Sequence, residues 1–581
     1  MPTRGWLHVL GGDMFKPVEW DPSRPLTTSC YVSTFAHMGE VYVYHDLYGY
    51  ILKMSSDILA FLQGFETPVL AESVCAQFSN AFGDQAPEGF IGTFAQFGCL
   101  VHEGDDELEG IWDKVPVRAA WNVWERTAEG LTFYTAWGER PLSTHTLNAE
   151  ETAVWERFDG ETPLFVIAEE HPREVISALV KRLVHHDVQA IKLGHARMSF
   201  YESRQHMAPP YLTSTMPYAS YDPLSDPEPV PLDERVSPEG YYASEIPDAD
   251  AQFDHQETTL SHLFRDAHPA LSGRTFGQAL VAGLERSGAL PGSETLRVLE
   301  IGGGLGYFAR AVVEALQGLG RTVTYDILEL SPTLAEAQRA RTAGLPVTVC
   351  EGNVLETTWP AERYDLILAN EMIGDLPSAR MTHAEAGLDR EELVGEAYQA
   401  FLAERGPGGA MAARYTLGLG DAPDPFYLNV GAMELVAKVA RSLNPGGTAY
   451  LSEFGEMSRW PVLSTHLDHP ELSIHFGHLA AVARAEGLTD EFVFVMDLIE
   501  MARDVEGLRT TRSYFRALTG LLKRRGVDLE KRGYTREMFN ALVADIDVES
   551  IGDISFDRIE DRLMGLVPHE FKALVLQSSA S

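Results

Sequence analysis

The sequence has few cysteines and no long apolar run. Its cysteines lie far apart and form no CxxC pair; they are Cys30, Cys75, Cys99 and Cys350. This argues against a disulfide framework and against a zinc site, so no metal is expected. No apolar run approaches the roughly 18 residues of a membrane-spanning helix. The opening "MPTRGWLHVLGGDM" also lacks the apolar core of a signal peptide. We therefore expect a soluble, cytoplasmic protein without a membrane partner.

Basic residues are also scarce. The chain has 46 Lys and Arg against 85 Asp and Glu, which gives a formal net charge of -39. A surface of this sign repels phosphate backbones, so nucleic acid is disfavoured as a partner. The charge would attract a basic peptide, but the simpler interpretation is that it keeps the protein soluble.

The length of 581 residues exceeds what one core supports, so several domains are expected. A proline-rich, acidic stretch that includes "YDPLSDPEPVPLDERVSPEG" is typical of an extended linker, because proline interrupts helices and sheets. We predict a linker at 201–258 that separates an N-terminal arm from a C-terminal domain at 259–579.

The C-terminal part alternates strand and helix patterns. Strand patterns occur in "LRVLEIGG", "TVTYDILEL", "LPVTVCEGN", "RYDLILAN" and "GGTAYLSEFG", and helical spacing occurs in "GYFARAVVEALQGL" and "SPTLAEAQRARTAG". This alternation predicts a doubly wound, mostly parallel α/β sheet, a Rossmann-like fold. Ligands bind such sheets at the carboxyl ends of the strands.

The N-terminal arm carries an internal repeat pattern. Each copy has a strand pair, a helix ending at Phe65 or Phe158, the tripeptide "ETP", another helix, and a last helix that leads into a strand. Repeated patterns of this kind indicate copies of one structural unit. We predict two small α+β modules, at 28–104 and 112–200.

These modules resemble the PqqD-like peptide-recognition module, a small winged-helix-like fold. The second copy, "LNAEETAVWERFDGETPL", is the closer match through its Leu-Asn start and its Asp-Gly, which the first copy lacks. The resemblance implies that a module binds the leader segment of a precursor peptide as an added strand. The alternatives are a winged helix kept for packing, or one that binds DNA, which the acidic charge disfavours.

The stretch "VLEIGGGLGYF" is typical of a strand, a glycine-rich turn and a helix. Gly302, Gly304 and Gly306 form GxGxG, whereas the dinucleotide fingerprint GxGxxG would need a glycine at Tyr307. Glu300 precedes the turn and would repel a pyrophosphate, but it suits the ammonium group of S-adenosylmethionine. The predicted cofactor is therefore S-adenosylmethionine, and the alternative is a tight turn without a ligand.

Polar residues at the ends of the following strands extend the predicted cofactor site. Glu329 in "YDILELSP" is expected to accept both ribose hydroxyls, unless it is only a solvated carboxylate. Asn353 in "CEGNVLE" is placed to bond the adenine amine, although it is equally typical of a turn. Asn370 and Glu371 in "LILANE" are expected over the methyl group.

The C-terminal domain resembles the MidA-type methyltransferases, which include the mitochondrial complex I assembly arginine methyltransferases. "LSGRTFGQAL", "EIGGGLG", "YDILELSPTLAEAQR", "ILANEMIGDLP" and "IHFGHLAAVARAEGL" carry the resemblance across 259–578, with long unmatched stretches between them. The resemblance implies that Glu300, the three glycines and Glu329 bind S-adenosylmethionine. It also implies that Asn370 and Glu371 line the methyl-transfer site.

Two departures from that family fall where the acceptor would lie. The family's aspartate after Asn-Glu falls on Gly374, with Asp375 one place later, and its Asp-Tyr-Gly after a late strand corresponds to "SEFG", Ser452–Gly455. The acceptor therefore need not be arginine.

Methyl transfer from a sulfonium is an in-line displacement in which positioning contributes ~7–11 kcal/mol. An amine or guanidine acceptor must also lose a proton, and Glu371 is the first candidate to take it, with Asp375 the second. Glu371 is nearly as well explained as a cap on the following segment. Four clustered histidines are interpreted as surface or core residues, with room for one near the acceptor; they are His466, His469, His475 and His478.

Three hypotheses follow. The first is a methyltransferase that modifies a ribosomally synthesised precursor peptide held by the N-terminal modules. The second is a protein (arginine) or small-molecule methyltransferase whose arm is structural or forms a homodimer. The third is a non-catalytic, methyltransferase-like assembly factor, which the presence of Glu300 and Glu329 disfavours.

Overall fold

A computed structural model describes most of the chain. The residues described are 7–10, 19–37, 40–48, 51–82, 85–119, 122–128, 130–136, 142–185, 188–195, 237–246, 249, 253, 259–390, 392–466, 469–508, 512–546, 551–552, 554–559 and 571–579. Among them, no helix combines the length and the apolar character needed to cross a membrane.

The chain divides into two compact units, each assembled from separate stretches of sequence. Unit 1 consists of Met1–Pro231, Arg509–Leu529 and Asn540–Ser555. Unit 2 consists of Leu232–Leu508, Glu530–Phe539 and Phe556–Ser581.

Elements are numbered along the chain. The strands of unit 1 are β1 (Leu7–Leu10), β2 (Leu26–Thr28), β3 (Val32–His37), β4 (Glu40–His45), β5 (Ile51–Met54), β6 (Leu100–His102), β7 (Lys114–Arg118), β8 (Val123–Thr127), β9 (Gly130–Thr135), β10 (Ser143–Leu147), β11 (Ile191–His195) and β24 (Ile551–Gly552). Its helices are α1 (Ser56–Gln63), α2 (Ala71–Gln77), α3 (Pro87–Gln96), α4 (Ala149–Glu156), α5 (Leu164–Ile167), α6 (Arg173–Leu183) and α18 (Arg512–Arg524).

Unit 1 contains a structural repeat. In the first copy, β3, β4 and β5 form an antiparallel meander, α1 to α3 follow, and β6 closes the copy by pairing with β2. In the second copy, β8, β9 and β10 form the meander, α4 to α6 follow, and β11 pairs with β7. The two copies have the same order of elements, as the sequence pattern indicates, and Phe65 and Phe158 are both buried at equivalent places.

Strands from elsewhere in the chain extend both meanders. β1 pairs antiparallel with β5 in the first copy, and β24 pairs antiparallel with β8 in the second. Across the part of the chain that the structure describes, β3 pairs only with β4, and β10 pairs only with β9. Among the described residues, each copy therefore has one extended edge and one edge without a strand partner, on opposite sides of the meander.

The helix α18 packs on the meander of the second copy. Arg525, the residue after this helix, forms an ion pair with Glu125 on β8 at 2.5 Å. The guanidinium of Arg524, the last residue of the helix, lies over the Tyr134 ring of β9. The buried residues of this helix are Tyr514, Phe515, Ala517, Leu518, Leu521 and Leu522. A segment that the sequence pattern assigns to the methyltransferase domain at 259–579 thus belongs to unit 1, because its apolar face is buried there.

The strands of unit 2 are β12 (Thr295–Ile301), β13 (Thr322–Glu329), β14 (Val347–Glu351), β15 (Tyr364–Asn370), β16 (Ala379–Met381), β17 (Phe426–Leu428), β18 (Leu443–Glu456), β19 (Leu463–His466), β20 (His469–Leu472), β21 (Ile474–His475), β22 (Leu488–Phe494), β23 (Glu506–Leu508), β25 (Phe556–Arg558) and β26 (Phe571–Ser578). Its helices are α7 (Pro238–Ala243), α8 (Leu260–Leu263), α9 (Phe276–Arg286), α10 (Tyr307–Gly318), α11 (Pro332–Arg341), α12 (His383–Ala386), α13 (Gly395–Ala403), α14 (Gly406–Arg414), α15 (Val430–Ser442), α16 (Phe476–Ala485) and α17 (Val495–Leu498); α19 (Arg536–Leu542) runs from unit 2 into unit 1.

A mixed sheet forms the centre of unit 2. Its strand order is β14-β13-β12-β15-β18-β26-β22; the first five strands are parallel, and β26 is antiparallel to both of its neighbours. The chain leaves β12 toward β13 on one side and returns to β15 on the other, so the order reverses between β12 and β15. This reversal is the switch point at which doubly wound sheets bind ligands.

Both faces of the sheet are covered, as the sequence pattern predicts for a doubly wound fold. Along β15, Leu366 and Leu368 face one apolar core and Ile367 and Ala369 face the other. All four are buried, so β15 has a continuous apolar sequence instead of an alternating one. The Rossmann-like α/β fold of this unit is confirmed.

The predicted linker at 201–258 is only partly described. Residues 201–236 lie outside the described residues. Pro238–Ala243 forms α7, which Ser237 caps by accepting a hydrogen bond from the Gly240 N–H. Ile246 and Phe253 are buried against Leu305 and Leu334, so this end of the predicted linker is part of unit 2.

Candidate functional site

A cavity lies at the carboxyl ends of β12, β13 and β15. Eight of the nine residues predicted for the site line it, namely Glu300, Gly302, Gly304, Glu329, Asn353, Asn370, Glu371 and Asp375. These residues are up to 75 positions apart in the sequence, and the parallel strands bring them to one edge of the sheet.

The glycine turn connects β12 to α10 along the wall of the cavity. Gly302 and Gly304 have φ values of 67° and 49°, in the left-handed region that favours glycine. A Cβ atom on Gly304 would contact nothing within 4 Å, so this backbone faces open space in the cavity. Because glycine has no side chain, a ligand can approach the backbone closely at this position.

Gly306 has a different role from the cofactor contact predicted for it. It does not line the cavity, and it caps the N-terminus of α10 with φ 86°. A Cβ atom there would lie 3.0 Å from the Gln338 Cα atom. The close packing of α10 on α11 therefore explains this glycine.

Glu300 ends the first strand and is almost completely buried. The Tyr325 hydroxyl donates a hydrogen bond to its Oε2 atom at 3.0 Å. Burial raises the pKa of Glu300 to about 8, with a smaller contribution from the negative charge of Glu329, while the Tyr325 hydrogen bond lowers it. A buried acid can take an ammonium group as its partner, because a nearby positive charge favours the ionised form.

Glu329 ends the second strand and is held by two hydrogen bonds. Its Oε1 accepts from the Ser331 N–H at 2.9 Å, and its Oε2 accepts from the Gln338 side-chain amide at 2.7 Å. A carboxylate has about four acceptor sites, and the backbone N–H groups of Leu330 and Gly303 also act on this one. A ribose hydroxyl would therefore share the carboxylate with backbone donors. Burial raises the pKa of Glu329, and these hydrogen bonds oppose that effect.

Asn353 makes two hydrogen bonds that the sequence did not predict. Its Oδ1 accepts from the Leu355 N–H, as in a turn, and its Nδ2 donates to the Glu239 carboxylate at 2.9 Å. The turn-forming interpretation of Asn353 thus holds alongside its place in the cavity wall. Any bond to an adenine amine would have to share the Oδ1 atom.

Asn370 and Glu371 lie at the end of β15. The Asn370 amide accepts from the Ser452 hydroxyl and donates to Glu371 Oε1, each at 3.1 Å. Glu371 has a φ of 51°, a left-handed conformation that is uncommon for a residue with a side chain. Both of its carboxylate oxygens accept from the Leu260 N–H at 3.1 Å, so this carboxylate caps α8.

The two departures from the resembled family are structurally linked. A Cβ atom on Gly374 would lie 3.2 Å from the Glu453 Oε2 atom, and the Gly374 N–H donates to that oxygen. An aspartate at 374 would therefore crowd Glu453 and place a second carboxyl group beside it. Glu453 is buried; burial raises its pKa well above the ordinary value, followed by the charges of Glu471 and Glu371.

Residues that precede β12 also line the cavity, although the sequence analysis did not indicate it. Residues Glu239, Tyr242, Phe253 and His262 from 237–262 line the same cavity. The signal was present, because "SPEG" at Ser237 is the same Ser-Pro helix start that identifies α11 at Ser331. The high proline content around it favoured the linker interpretation.

The clustered histidines lie outside the cavity lining. His475 and His478 are buried with their rings stacked 3.7 Å apart, and Trp460 packs edge-on against both. Burial lowers the pKa of both imidazoles, that of His478 to about 3. They are core residues, while the side chains of His466 and His469 lie outside the described residues. Within the described chain, no group of three or more His, Cys, Asp or Glu residues could hold a metal ion.

The donors and acceptors in the cavity fit S-adenosylmethionine. Glu300 offers a buried carboxylate to an ammonium group, and Glu329 offers two oxygens to a ribose. The turn at Gly304 offers unobstructed backbone. A pyrophosphate would meet two buried carboxylates here, which disfavours a dinucleotide.

Residues 275–465 match a family described as "Putative S-adenosyl-L-methionine-dependent methyltransferase". Similar solved structures include an uncharacterized protein from Burkholderia thailandensis, at 15% identity over 61% of this chain and 96% of that chain, with a TM-score of 0.32. A second protein from that organism, bound to S-adenosyl-homocysteine, is 16% identical over 56% and 79%, with a TM-score of 0.30. An S-adenosylmethionine-dependent methyltransferase from Mesorhizobium loti is 12% identical over 53% and 99%, with a TM-score of 0.25. No curated protein matches the chain.

The family match lies within unit 2 and contains β12 to β18, the strands that form the cavity. It confirms the predicted cofactor and reaction class. The C-terminal part of this chain is an S-adenosylmethionine-dependent methyltransferase domain.

Proposed function

We propose that this methyltransferase modifies a peptide, most simply a ribosomally synthesised precursor, that unit 1 holds by strand addition. The observation that carries the proposal is the open edge of β10. In the first copy of the repeat, the equivalent strand β5 carries β1 as an antiparallel partner. In the second copy, β10 has β9 as its only strand partner among the described residues.

The internal comparison supports an extended occupant for the β10 edge. Because β5 and β10 occupy the same place in the repeat, β1 is an example of the kind of segment that such an edge accepts. Unpaired N–H and C=O groups on an edge strand are a template for another strand. Main-chain hydrogen bonds would provide affinity without fixing the peptide's sequence. This agrees with the resemblance of the modules to the PqqD-like fold.

Charges on both sides of β10 favour an acidic segment. On the outer face, the Arg524 guanidinium lies 3.3 Å from the Thr144 hydroxyl. On the inner face, Arg182 pairs with Glu151 and lowers the pKa of His145, after the larger effect of burial. A strand that carries carboxylates would meet an arginine on either face, although the chain as a whole is acidic.

The cavity in unit 2 favours a cationic acceptor group. Glu371 and Asp375 line it. Carboxylates around the transfer position attract an amine or a guanidinium more than a neutral hydroxyl. Lysine, arginine or an amino terminus of the bound peptide are therefore the acceptors that we propose. An arginine-modifying protein methyltransferase shares this chemistry and is the alternative.

The test is co-expression with short peptides encoded beside this gene, followed by mass spectrometry for the addition of a methyl group. Two edge variants, Ser143→Pro and Thr144→Pro, test the docking edge. Neighbouring strand residues point their N–H groups to opposite sides, so one of the two removes an outward donor and leaves the pairing with β9 intact. Retained thermal stability identifies that variant.

We expect the stable edge variant to lose methylation of the full-length peptide. The matched control is Thr34→Pro on β3, an edge on the other copy that the proposal does not use. Equal methylation by the wild type and the stable β10 variant would overturn docking at this edge. Equal methylation of a peptide that lacks its leader would overturn the precursor-peptide proposal as a whole.

A further inference from the structure

His262, on α8, has a role in methyl transfer that no sequence pattern indicates. We infer that its imidazole takes the proton that an amine or guanidine acceptor must lose. The inference rests on the proposed amine or guanidine acceptor class, and it is independent of the docking edge in unit 1. The sequence analysis favours Glu371 as the proton acceptor, whereas this inference assigns that role to His262.

The position of His262 is the first argument. It lies on α8, is 5% exposed, and lines the cavity together with Glu300, Gly302 and Glu371. Among the described residues that line this cavity, it is the sole histidine. Its ring is packed edge-on between Phe253 and Tyr307, with centroids 6.2 and 6.1 Å away. These contacts restrict the rotation of the imidazole.

The state of Glu371 is the second argument. Its two carboxylate oxygens accept the Leu260 N–H, and one of them also accepts the Asn370 amide. Leu260 is the first residue of α8, so this carboxylate anchors the helix that carries His262. Glu371 is therefore best described as a positioning residue. It makes these contacts from a backbone with a φ of 51°, in the left-handed region.

The chemistry is the third argument. An imidazole has an ordinary pKa of ~6.5, close to neutrality, and is the commonest proton acceptor in enzymes, with contributions of ~10²–10⁴-fold in rate. Acidic groups that line the cavity around it favour its protonated form after transfer; they are Glu239, Glu371 and Asp375. The Arg265 guanidinium is the nearby cation, and it donates to the backbone oxygen of His262.

Bound S-adenosylmethionine supplies a methyl group on a sulfonium, and the acceptor nitrogen bonds to that carbon while the carbon–sulfur bond breaks and leaves its electron pair on sulfur. The nitrogen's proton moves to a ring nitrogen of His262, which becomes an imidazolium. The proton then passes to solvent and the neutral imidazole returns.

The first experiment measures binding and rate in His262→Gln. S-adenosylhomocysteine affinity is measured by calorimetry, and methyl transfer is measured with n-butylamine and ethylguanidine as acceptor probes. We expect an affinity within a few-fold of the wild type and a rate at least tenfold lower. Added imidazole should restore part of the rate in His262→Ala. The matched control, His185→Gln, changes an exposed histidine of unit 1 and should leave both values unchanged.

The second experiment measures binding of the acceptor probe by NMR and does not depend on the activity of any variant. In the S-adenosylhomocysteine complex, the imidazole resonances of His262, assigned by their absence in His262→Gln, are followed while n-butylamine is added. We expect a saturable shift of these resonances. A normal rate in His262→Gln, or a loss of cofactor affinity as large as the loss of rate, would overturn the inference. The first result would indicate that Glu371 or solvent accepts the proton. The second would indicate that His262 helps to bind the cofactor.

Failure of the proposed acceptor class has a different signature. In that case, neither amine nor guanidine probe would be methylated by the wild type, and the resonances of His262 would not respond to either. The inference would then be overturned together with the acceptor class. If the wild type methylates the probes and His262→Gln does so equally well, the acceptor class stands and the role of His262 fails alone.

Discussion

The side-chain amide of Gln338 joins Glu329 to the glycine turn. Its Nε2 atom lies 2.7 Å from Glu329 Oε2 and 2.8 Å from the Gly304 carbonyl oxygen. Gln338 is fully buried on α11, so this arrangement is rigid. One side chain therefore sets the distance between the strand-end carboxylate and the turn, two parts of the site that come from different strands.

This relationship predicts that Gln338 affects cofactor binding without facing the reaction. Gln338→Leu keeps the volume but removes the hydrogen bond to the carboxylate, and hydrogen bonds to charged groups contribute ~1.5–3 kcal/mol. We expect S-adenosylhomocysteine to bind at least tenfold more weakly, as measured by calorimetry. Gln317→Leu, at an exposed position on α10, is the control. An unchanged affinity in a folded Gln338→Leu protein would contradict this positioning role.

Glu300 predicts a dependence of cofactor binding on pH. The pKa of its carboxyl is about 8 because of burial, so the group is mostly protonated at neutral pH without a ligand. If an ammonium group binds its carboxylate form, affinity should rise with pH from about 6 to 8, by up to tenfold per unit. The same measurement in Glu300→Gln should give weak binding with little pH dependence. A flat profile in the wild type would exclude Glu300 as the ammonium partner.

Glu300 also predicts that the stability of the cofactor-free protein falls as the pH rises, whereas its cofactor affinity increases. Its folded-state pKa lies above the value of 4.5 for an unperturbed glutamate. Its contribution to stability is therefore complete below about pH 4.5 and is lost as the pH rises through about 8. Thermal unfolding without ligand should show Glu300→Gln losing less stability than the wild type over this interval. Saturating S-adenosylhomocysteine should reduce the difference.

Local patterns predicted the parts of unit 2 that depend on neighbouring residues in the sequence. The glycine turn, the Ser331-Pro332 start of α11 and the acids at the ends of β12 and β13 are local signals, and the parallel sheet brings them together. A continuous apolar strand such as β15 has too little alternation to indicate its neighbours. The order in which β26 inserts between β18 and β22 therefore could not be read from the sequence.

Longer-range contacts account for what the sequence missed. The face of α18 is clearly amphipathic, but nothing local shows that Leu518 and Leu521 are buried in unit 1 instead of unit 2. The carboxylate of Glu371 caps α8 across 111 positions, so its structural role was visible only as a generic alternative. The proline-rich surroundings of α7 similarly concealed a helix that borders the cofactor cavity.

The packing of α9 predicts a strong effect at one glycine. A Cβ atom on Gly283 would collide with the Leu498 backbone oxygen, and backbone cannot move as a side-chain end can. We expect Gly283→Ala to destabilise unit 2 by about 1–3 kcal/mol or more, despite the better helix propensity of alanine. Gly318→Ala in α10, where a Cβ would meet nothing within 4 Å, is the matched control and should be neutral or stabilising. Chemical unfolding of both variants provides the comparison.

The composition of unit 1 predicts how the N-terminal arm behaves when isolated. A chain of residues 1–200 lacks α18, whose buried face includes Phe515, Leu518 and Leu522, and it lacks β24, which pairs with β8. The meander of the second copy would then expose apolar surface and an additional strand edge, which favours aggregation. We expect this fragment to bind a hydrophobic dye and to unfold without a sharp transition.

A fragment that joins residues 1–200 to 509–555 through a flexible linker should instead unfold cooperatively. Within that longer fragment, Leu518→Asp should restore the behaviour of the short one, while Lys523→Asp, an exposed change of α18, should not. Cooperative unfolding of the short fragment, with no gain from the added segment, would show that α18 and β24 are dispensable for the fold of the repeat.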